Sequence, residues 1–423
     1  MEGGRTSRLV RRLAGTTRWA ARAGLRSLSR HGEVVAKRLG PVGRAAGFYV
    51  DSWQRWLASP QERPAVPVPF PSPALAFGAL ADESLLSMGT VLRRFPTPED
   101  YHRIRAEATE AVELFDRRGW LDDPAAYFSD PPPAEPKIQQ TRLLGGLSFE
   151  RFRFESGYDP DVEEPGRERW LARDANRTAH AWVLRHRTAR PWLIGLHGAG
   201  MGFPRADLFA FQAAWLHHAL GLNLAFPVMP LHGPRREGIA PLPGFPSENL
   251  LDTVHAVAQA VWDTRRLAGW IRSNDHDVVG IVGLSLGAYT AALTASIESE
   301  LSCVIVGVPT VDFAELFERH APDKFRRLPE FTELSRQAHL VNRVVSPLAL
   351  PPRVPHDRRF IFAGLADRLV HPRRQVGTLW EHWQQPAIHW FEGSHVGFLW
   401  SGAVRNFVHR ALTTSGLVHS EAA

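Results

Sequence analysis

The stretch Val278-Val279-Gly280-Ile281-Val282-Gly283-Leu284-Ser285-Leu286-Gly287-Ala288-Tyr289-Thr290-Ala291-Ala292 decides how this chain is read. Its first half is short, apolar and β-branched, as a strand buried on both faces should be. Its second half is rich in small residues and continues to Ile297 as a helix. Between them lies Gly-x-Ser-x-Gly. That pattern is common by itself, but a strand running directly into it and a helix directly out give it meaning. The turn is tight, and a side chain at Gly283 or Gly287 would collide with neighbouring backbone. The strain lifts the Ser285 hydroxyl above the sheet, at the positive end of a helix dipole. A nucleophile fits there.

Serine needs a base, and the base needs an orienting carboxylate. Of 19 histidines, His395 is the best placed. It follows the apolar run Ile388–Phe391 in Phe391-Glu392-Gly393-Ser394-His395-Val396-Gly397, with a helix after it. Asp367, in Gly364-Leu365-Ala366-Asp367, directly follows another strand and is the expected acid. Asp312, in Pro309-Thr310-Val311-Asp312, is the alternative. A tetrahedral intermediate also requires N–H donors aimed at its oxyanion. The N–H of Leu286 supplies one. The glycine-rich loop His197-Gly198-Ala199-Gly200-Met201-Gly202 supplies the other, from Ala199 or, as second choice, Gly200. His197 itself is expected to shape the loop.

From about Leu147 the chain alternates strands and helices. Strands are expected at Leu147–Phe154, Ala179–Leu184, Pro191–His197, Leu222–Val228, Asp277–Gly283, Cys303–Val308, Arg359–Ala363 and Ala387–Phe391. Glu248–Ser273 reads as a long amphipathic helix. This alternation predicts a mostly parallel sheet with helices on both faces, and chemistry at the carboxyl ends of its strands. The oxyanion loop, nucleophile elbow, acid loop and histidine loop come in the order found in α/β-hydrolases. From Leu147 to Leu412 the chain resembles that superfamily, and serine esterases and lipases within it. The resemblance implies acyl transfer to water through Ser285, His395 and Asp367. The sequence has no Walker loop or dinucleotide fingerprint, and His217-His218 lack matching carboxylate spacing, so no cofactor or metal is expected. The resemblance does not cover residues 1–140. The alternative function is a non-catalytic protein of the same fold, associated with a membrane or a partner.

The organisation expected is a basic arm over residues 1–60, a proline-rich linker and helical extension over 61–140, and the hydrolase domain over 141–423. Thr97-Pro98-Glu99-Asp100 is a helix start, with Thr as cap, Pro at the first position and acids in the first turn. The connection at about 309–358, roughly 50 residues, is long enough to be a lid. Its Phe313, Leu316, Phe317, Phe325, Phe331, Leu334, Leu340 and Val341 would suit an apolar acyl ester, or would pack the segment onto the body. Arg235 and Arg236, after another strand, would meet an acidic substrate group or form surface ion pairs. Asn176-Arg177-Thr178 matches a glycosylation sequon, a short pattern that arises by chance.

Charge separates the chain in two. Residues 1–44 carry 11 Lys and Arg against Glu2 and Glu33, and the remainder carries 39 basic and 42 acidic residues. An acidic body argues against nucleic-acid binding. The arm, with Leu9, Leu13, Trp19, Leu25 and Leu28 among its arginines, could lie on an anionic membrane surface. Of the 50 basic residues 47 are Arg, which points to a GC-rich, bacterial genome. The single cysteine, Cys303, allows no internal disulfide and reads as a buried inert thiol. No long uncharged apolar run and no secretory leader is seen. The expected location is the cytoplasm, with the arm on the inner face of the membrane.

Overall fold

The computed structural model describes residues 40–58, 66–92, 98–142, 147–238, 245–247, 249–275, 278–321, 326–327 and 329–419. Among them nine strands form one sheet. They are β1 (Lys137–Arg142), β2 (Ser148–Glu155), β3 (Thr178–Leu184), β4 (Trp192–Leu196), β5 (Asn223–Val228), β6 (Val279–Leu284), β7 (Cys303–Gly307), β8 (Arg359–Gly364) and β9 (Ala387–Phe391). The order is β1-β2-β3-β5-β4-β6-β7-β8-β9. From β5 through β4, β6 and β7 to β8 the neighbours are parallel. β1, β2, β3 and β5 are joined antiparallel. This is the α/β-hydrolase fold. Every residue of β4 to β8 is buried, as strands covered on both faces require. β1, with sequence KIQQTR, has no apolar alternation, so periodicity alone does not reveal it. Its charges suit an edge strand, which must not pair with another chain.

The described residues divide into two units. The smaller holds α1 (Gly40–Ala58), nearly all of α2 (Pro73–Leu92), and the stretches Gly364–Pro372 and Trp390–Trp400. Its core is Ala45, Phe48, Leu75, Ala79 and Ala366. Residues 1–39, with the apolar positions of the basic arm, and Thr97 lie outside the described residues.

The larger unit holds α3 (Pro98–Arg117), α4 (Leu250–Asp275), α5 (Leu286–Ile297), α6 (Phe313–His320) and α7 (Pro329–Asn342). All twelve residues of α5 are buried, and its run of Gly and Ala lets it lie close to the sheet. Phe313 and Val341 share a core cluster with Ala108, Ala111, Leu114 and Phe115 of α3 and with Val254, Val257 and Val261 of α4. Phe331 and Leu334 are also buried, and Phe317 stacks on Phe331 at 5.5 Å. Phe325 lies outside the described residues. Cys303 is buried, and burial pushes its thiol up to about 12.

The apolar face of α4 sits as expected, with Leu251, Val254, Val257, Val261 and Leu267 fully buried. Its polar face is not solvated. Gln259 donates to Ser156 Oγ at 2.8 Å and to the Asn176 carbonyl at 2.9 Å. Ser156 Oγ donates to Asp263 at 2.6 Å. Arg235 completes this network and is entirely buried, which corrects the expectation of a substrate contact or a surface pair. Its guanidinium bonds Asp263 at 2.8 Å, the Val228 carbonyl at 3.0 Å and the Asn176 carbonyl at 2.8 Å. Burial raises the Asp263 carboxyl pKa even with that guanidinium beside it. Asn176 is buried too, its Oδ1 accepting from Leu231 N at 3.0 Å, so the sequon is no glycan acceptor in this fold.

Removing one member of a buried pair strands the other. Arg235→Leu is therefore expected to cost about 3–5 kcal/mol, read from the urea midpoint. A loss below ~1 kcal/mol would show that the network contributes no more than a surface pair.

Candidate active site

Ser285 caps α5 with φ 54° and ψ −111°. A residue with a side chain held in such a region costs about 1–3 kcal/mol, and the surroundings must impose it. They do so from three sides. Ser285 N donates to the Gly307 carbonyl of β7 at 2.9 Å, and its own carbonyl accepts from Ala288 N at 3.0 Å. A Cβ on Gly283 would lie 2.2 Å from the Gly287 carbonyl oxygen. A Cβ on Gly287 would lie 1.9 Å from the Leu196 oxygen at the end of β4. Both glycines are needed for this close approach. Leu286 is the first helical residue, so its N–H has no intrahelical acceptor and lies at the positive end of the helix.

The loop after β4 passes beside Ser285. A Cβ on Gly198 would sit 3.6 Å from that of Ser285. His197 shapes this loop, as expected. Its Nδ1 pairs with the Gly198 carbonyl at 2.9 Å, and its Nε2 accepts from Met229 N at 3.1 Å. Those two bonds require a neutral ring protonated on Nδ1. Burial, and more weakly Arg235, hold its pKa down at about 4. Ala199 and Gly200 are exposed at the tip, and Gly200 has φ +80°. Gly202 N donates to Asp207 at 3.0 Å, and Trp182 Nε1 holds the other oxygen of that buried carboxyl at 3.0 Å.

Asp367 and His395 belong to the smaller unit, and they meet there. His395 Nδ1 donates to Asp367 Oδ2 at 2.7 Å. Asp367 Oδ1 accepts from Leu369 N at 2.9 Å and Val370 N at 2.8 Å, which aims the carboxylate. The two loops are laced by backbone bonds of 2.9 Å, Leu365 N to the Phe391 oxygen and Ala366 N to the Gly393 oxygen. A Cβ on Gly364 would lie 2.5 Å from the Gly393 oxygen. Burial opposes a charged His395, but the carboxylates of Asp367 and Asp82 outweigh it and raise its pKa. Asp312, the alternative acid, caps α6 by accepting from Glu315 N at 3.0 Å.

Asp82 was not anticipated. It lies on α2, fully buried, and its Oδ2 accepts from His395 N at 2.9 Å and from Arg368 N at 3.0 Å. Only one signal in the sequence pointed to it. Asp82 and Glu83 are the sole charged residues in a largely apolar helix.

No established protein-family model matches the chain. Two Mycobacterium tuberculosis proteins, the uncharacterized MT2702 and Rv2627c from different strains, are each 43% identical over 390 residues, covering 91% of this chain and 92% of their own length. Among solved structures, acetyl xylan esterase 1 from Thermoanaerobacterium sp. JW/SL YS485 matches with a TM-score of 0.45 at 15% identity, covering 70% of this chain and 98% of that one. An acetyl xylan esterase from Paenibacillus sp. R4 matches with a TM-score of 0.47 at 16% identity, covering 71% and 94%.

The elbow leaves no room for a methyl group at Gly287. Gly287→Ala is expected to lose at least ~3 kcal/mol or fail to fold, whereas Gly402→Ala, with nothing within 4 Å of the added carbon, should melt no lower than the parent. Equal melting of the two variants would contradict this geometry.

Proposed function

This chain belongs to one family with MT2702 and Rv2627c of Mycobacterium tuberculosis, and we propose that it is a serine hydrolase cleaving carboxylic esters. The observation that carries the reading is the strained backbone of Ser285 between Gly283 and Gly287, at the start of a buried helix. Strain of that kind survives where an exposed nucleophile is worth its cost.

In the proposed reaction Ser285 Oγ attacks the ester carbonyl carbon and its proton passes to His395 Nε2. The bond from Nδ1 to Asp367 supports that direction of transfer, because it fixes the tautomer whose Nε2 carries the lone pair. The N–H of Leu286 and one from Ala199 or Gly200 receive the oxyanion. The intermediate collapses, His395 returns the proton to the departing alkoxide, and an alcohol leaves. Water, deprotonated by His395, then attacks the acyl-enzyme; the second intermediate expels Ser285 Oγ, which takes the proton back from His395, and the acid is released. A raised His395 pKa favours the imidazolium that forms at each step.

The apolar side chains at 313–341 that could have received a long acyl chain are largely engaged in the core. Short acyl esters are therefore the first substrates to assay. No helix of the described residues is long and apolar enough to cross a membrane.

Fluorophosphonate labelling is expected on wild type and lost in Ser285→Ala, together with ester hydrolysis. Asp367→Asn should lower kcat by about 10⁴-fold, because it spoils the tautomer. A base with a raised pKa stays protonated to higher pH. The acid limb of kcat/KM should accordingly lie above the ordinary histidine value of about 6.5. Turnover that persists in Ser285→Ala, or an acid limb below that value, would overturn the proposal.

A further inference from the structure

We infer that Asp82, contributed by the N-terminal extension, is a positioning residue for His395: it holds the backbone of the base and places a second negative charge near its ring. The inference rests on reading His395 as the base. Three observations support it. First, one oxygen of Asp82 accepts from two amides, that of His395 at 2.9 Å and that of Arg368 at 3.0 Å. Arg368 directly follows Asp367 in sequence. The one carboxylate therefore ties the loop of the acid to the loop of the base. Asp367 fixes the imidazole at Nδ1, and Asp82 fixes the chain from which the ring hangs.

Second, the other oxygen, Oδ1, is buried with no hydrogen-bond partner among the described residues. A half-satisfied buried carboxylate is costly, and helix docking alone would be served by a neutral amide. Burial, and then the nearby charge of Asp367, push the Asp82 carboxyl up to about 6. Third, α2 is shaped to approach the loop. One turn before Asp82, a Cβ on Gly78 would lie 3.0 Å from the Cβ of Ser394, the residue preceding the base.

The neighbouring charges brace the same place. Glu83 accepts from Arg368 Nε at 2.9 Å and from Arg44 Nε of α1 at 2.6 Å. The Arg368 guanidinium lies 4.7 Å over the ring of Phe48. Among the described residues, the charged groups around Asp82 include Asp367, Arg368 and His395 from the loops, Glu83 from its own helix, and Arg44 behind Glu83. When His395 takes the serine proton, its imidazolium lies beside Asp367 and near Asp82. The extension then acts on the base through the backbone and through charge, without touching the substrate.

The experiment compares wild type with Asp82→Asn and Asp82→Ala in two readouts, ester kinetics and the NMR titration of His395 with its downfield Nδ1 proton. Asp82→Asn keeps an oxygen for both amides but loses the charge. It should retain most of kcat while the His395 pKa falls. Asp82→Ala loses both, and should lower kcat by about 10²-fold with little change in KM and loss of the downfield proton. Should Asp82→Ala fail to fold, the His395 titration in Asp82→Asn decides alone. An unmoved His395 pKa in Asp82→Asn would overturn the inference. So would a folded Asp82→Ala that keeps wild-type kcat and the downfield proton. The titration needs no turnover. A wild type that hydrolyses no ester would sink the hydrolase reading while the NMR arm still judges Asp82.

Discussion

The approach of α5 to the end of β4 is the constraint on which the larger unit depends. Helix and strand meet where Gly287 would place a Cβ 1.9 Å from the Leu196 oxygen, and only glycine permits that. Three features meet at this one contact. The backbone of Ser285, two residues before Gly287, holds φ 54°. The first N–H groups of the helix stand beside the loop that leaves β4. That loop begins at His197, whose two ring bonds set its path. Strain, dipole and loop are therefore one arrangement rather than three independent features. The dense packing of small residues along α5 keeps it in place.

The smaller unit solves a different problem. Two segments that run on from β8 and β9, Gly364–Pro372 and Trp390–Trp400, carry Asp367 and His395, whose pairing depends on largely irregular backbone. Loops lack the ladder of bonds that fixes a strand, so other groups must satisfy and hold their backbones. The segments bond one another at Leu365 and Ala366, and Asp82 takes the amides of Arg368 and His395. The N-terminal extension, which lies outside the region of resemblance, supplies the carboxylate that bonds both.

What could be read beforehand follows from how local each signal is. The elbow was legible because a special backbone conformation demands glycine at fixed offsets from Ser285. The central strands were legible because burial on both faces demands continuous apolar runs. The helix Leu286–Ile297 emerged at its observed limits. The pairing of Asp367 with His395 was anticipated because each follows a strand, and the structure joins them at 2.7 Å. β1 escaped because an edge strand is polar. Arg235 was misread because its partner Asp263 lies 28 positions away, and nothing nearby announces a buried cation. Asp82 escaped for the same reason on a larger scale, since its amide partner His395 is 313 positions distant. Long-range polar contacts leave no local periodicity.

If Ser285 is the nucleophile, it becomes covalently acylated during turnover. The direct measurement is to mix the protein with a short activated ester, quench in acid within the first turnover, and map the modified peptide by mass spectrometry. The expected result is an acyl group on the peptide containing Ser285, formed in wild type and absent from Ser285→Ala. Acylation elsewhere in the chain, equal acylation in both proteins, or hydrolysis with no acyl-enzyme at any quench time would contradict it.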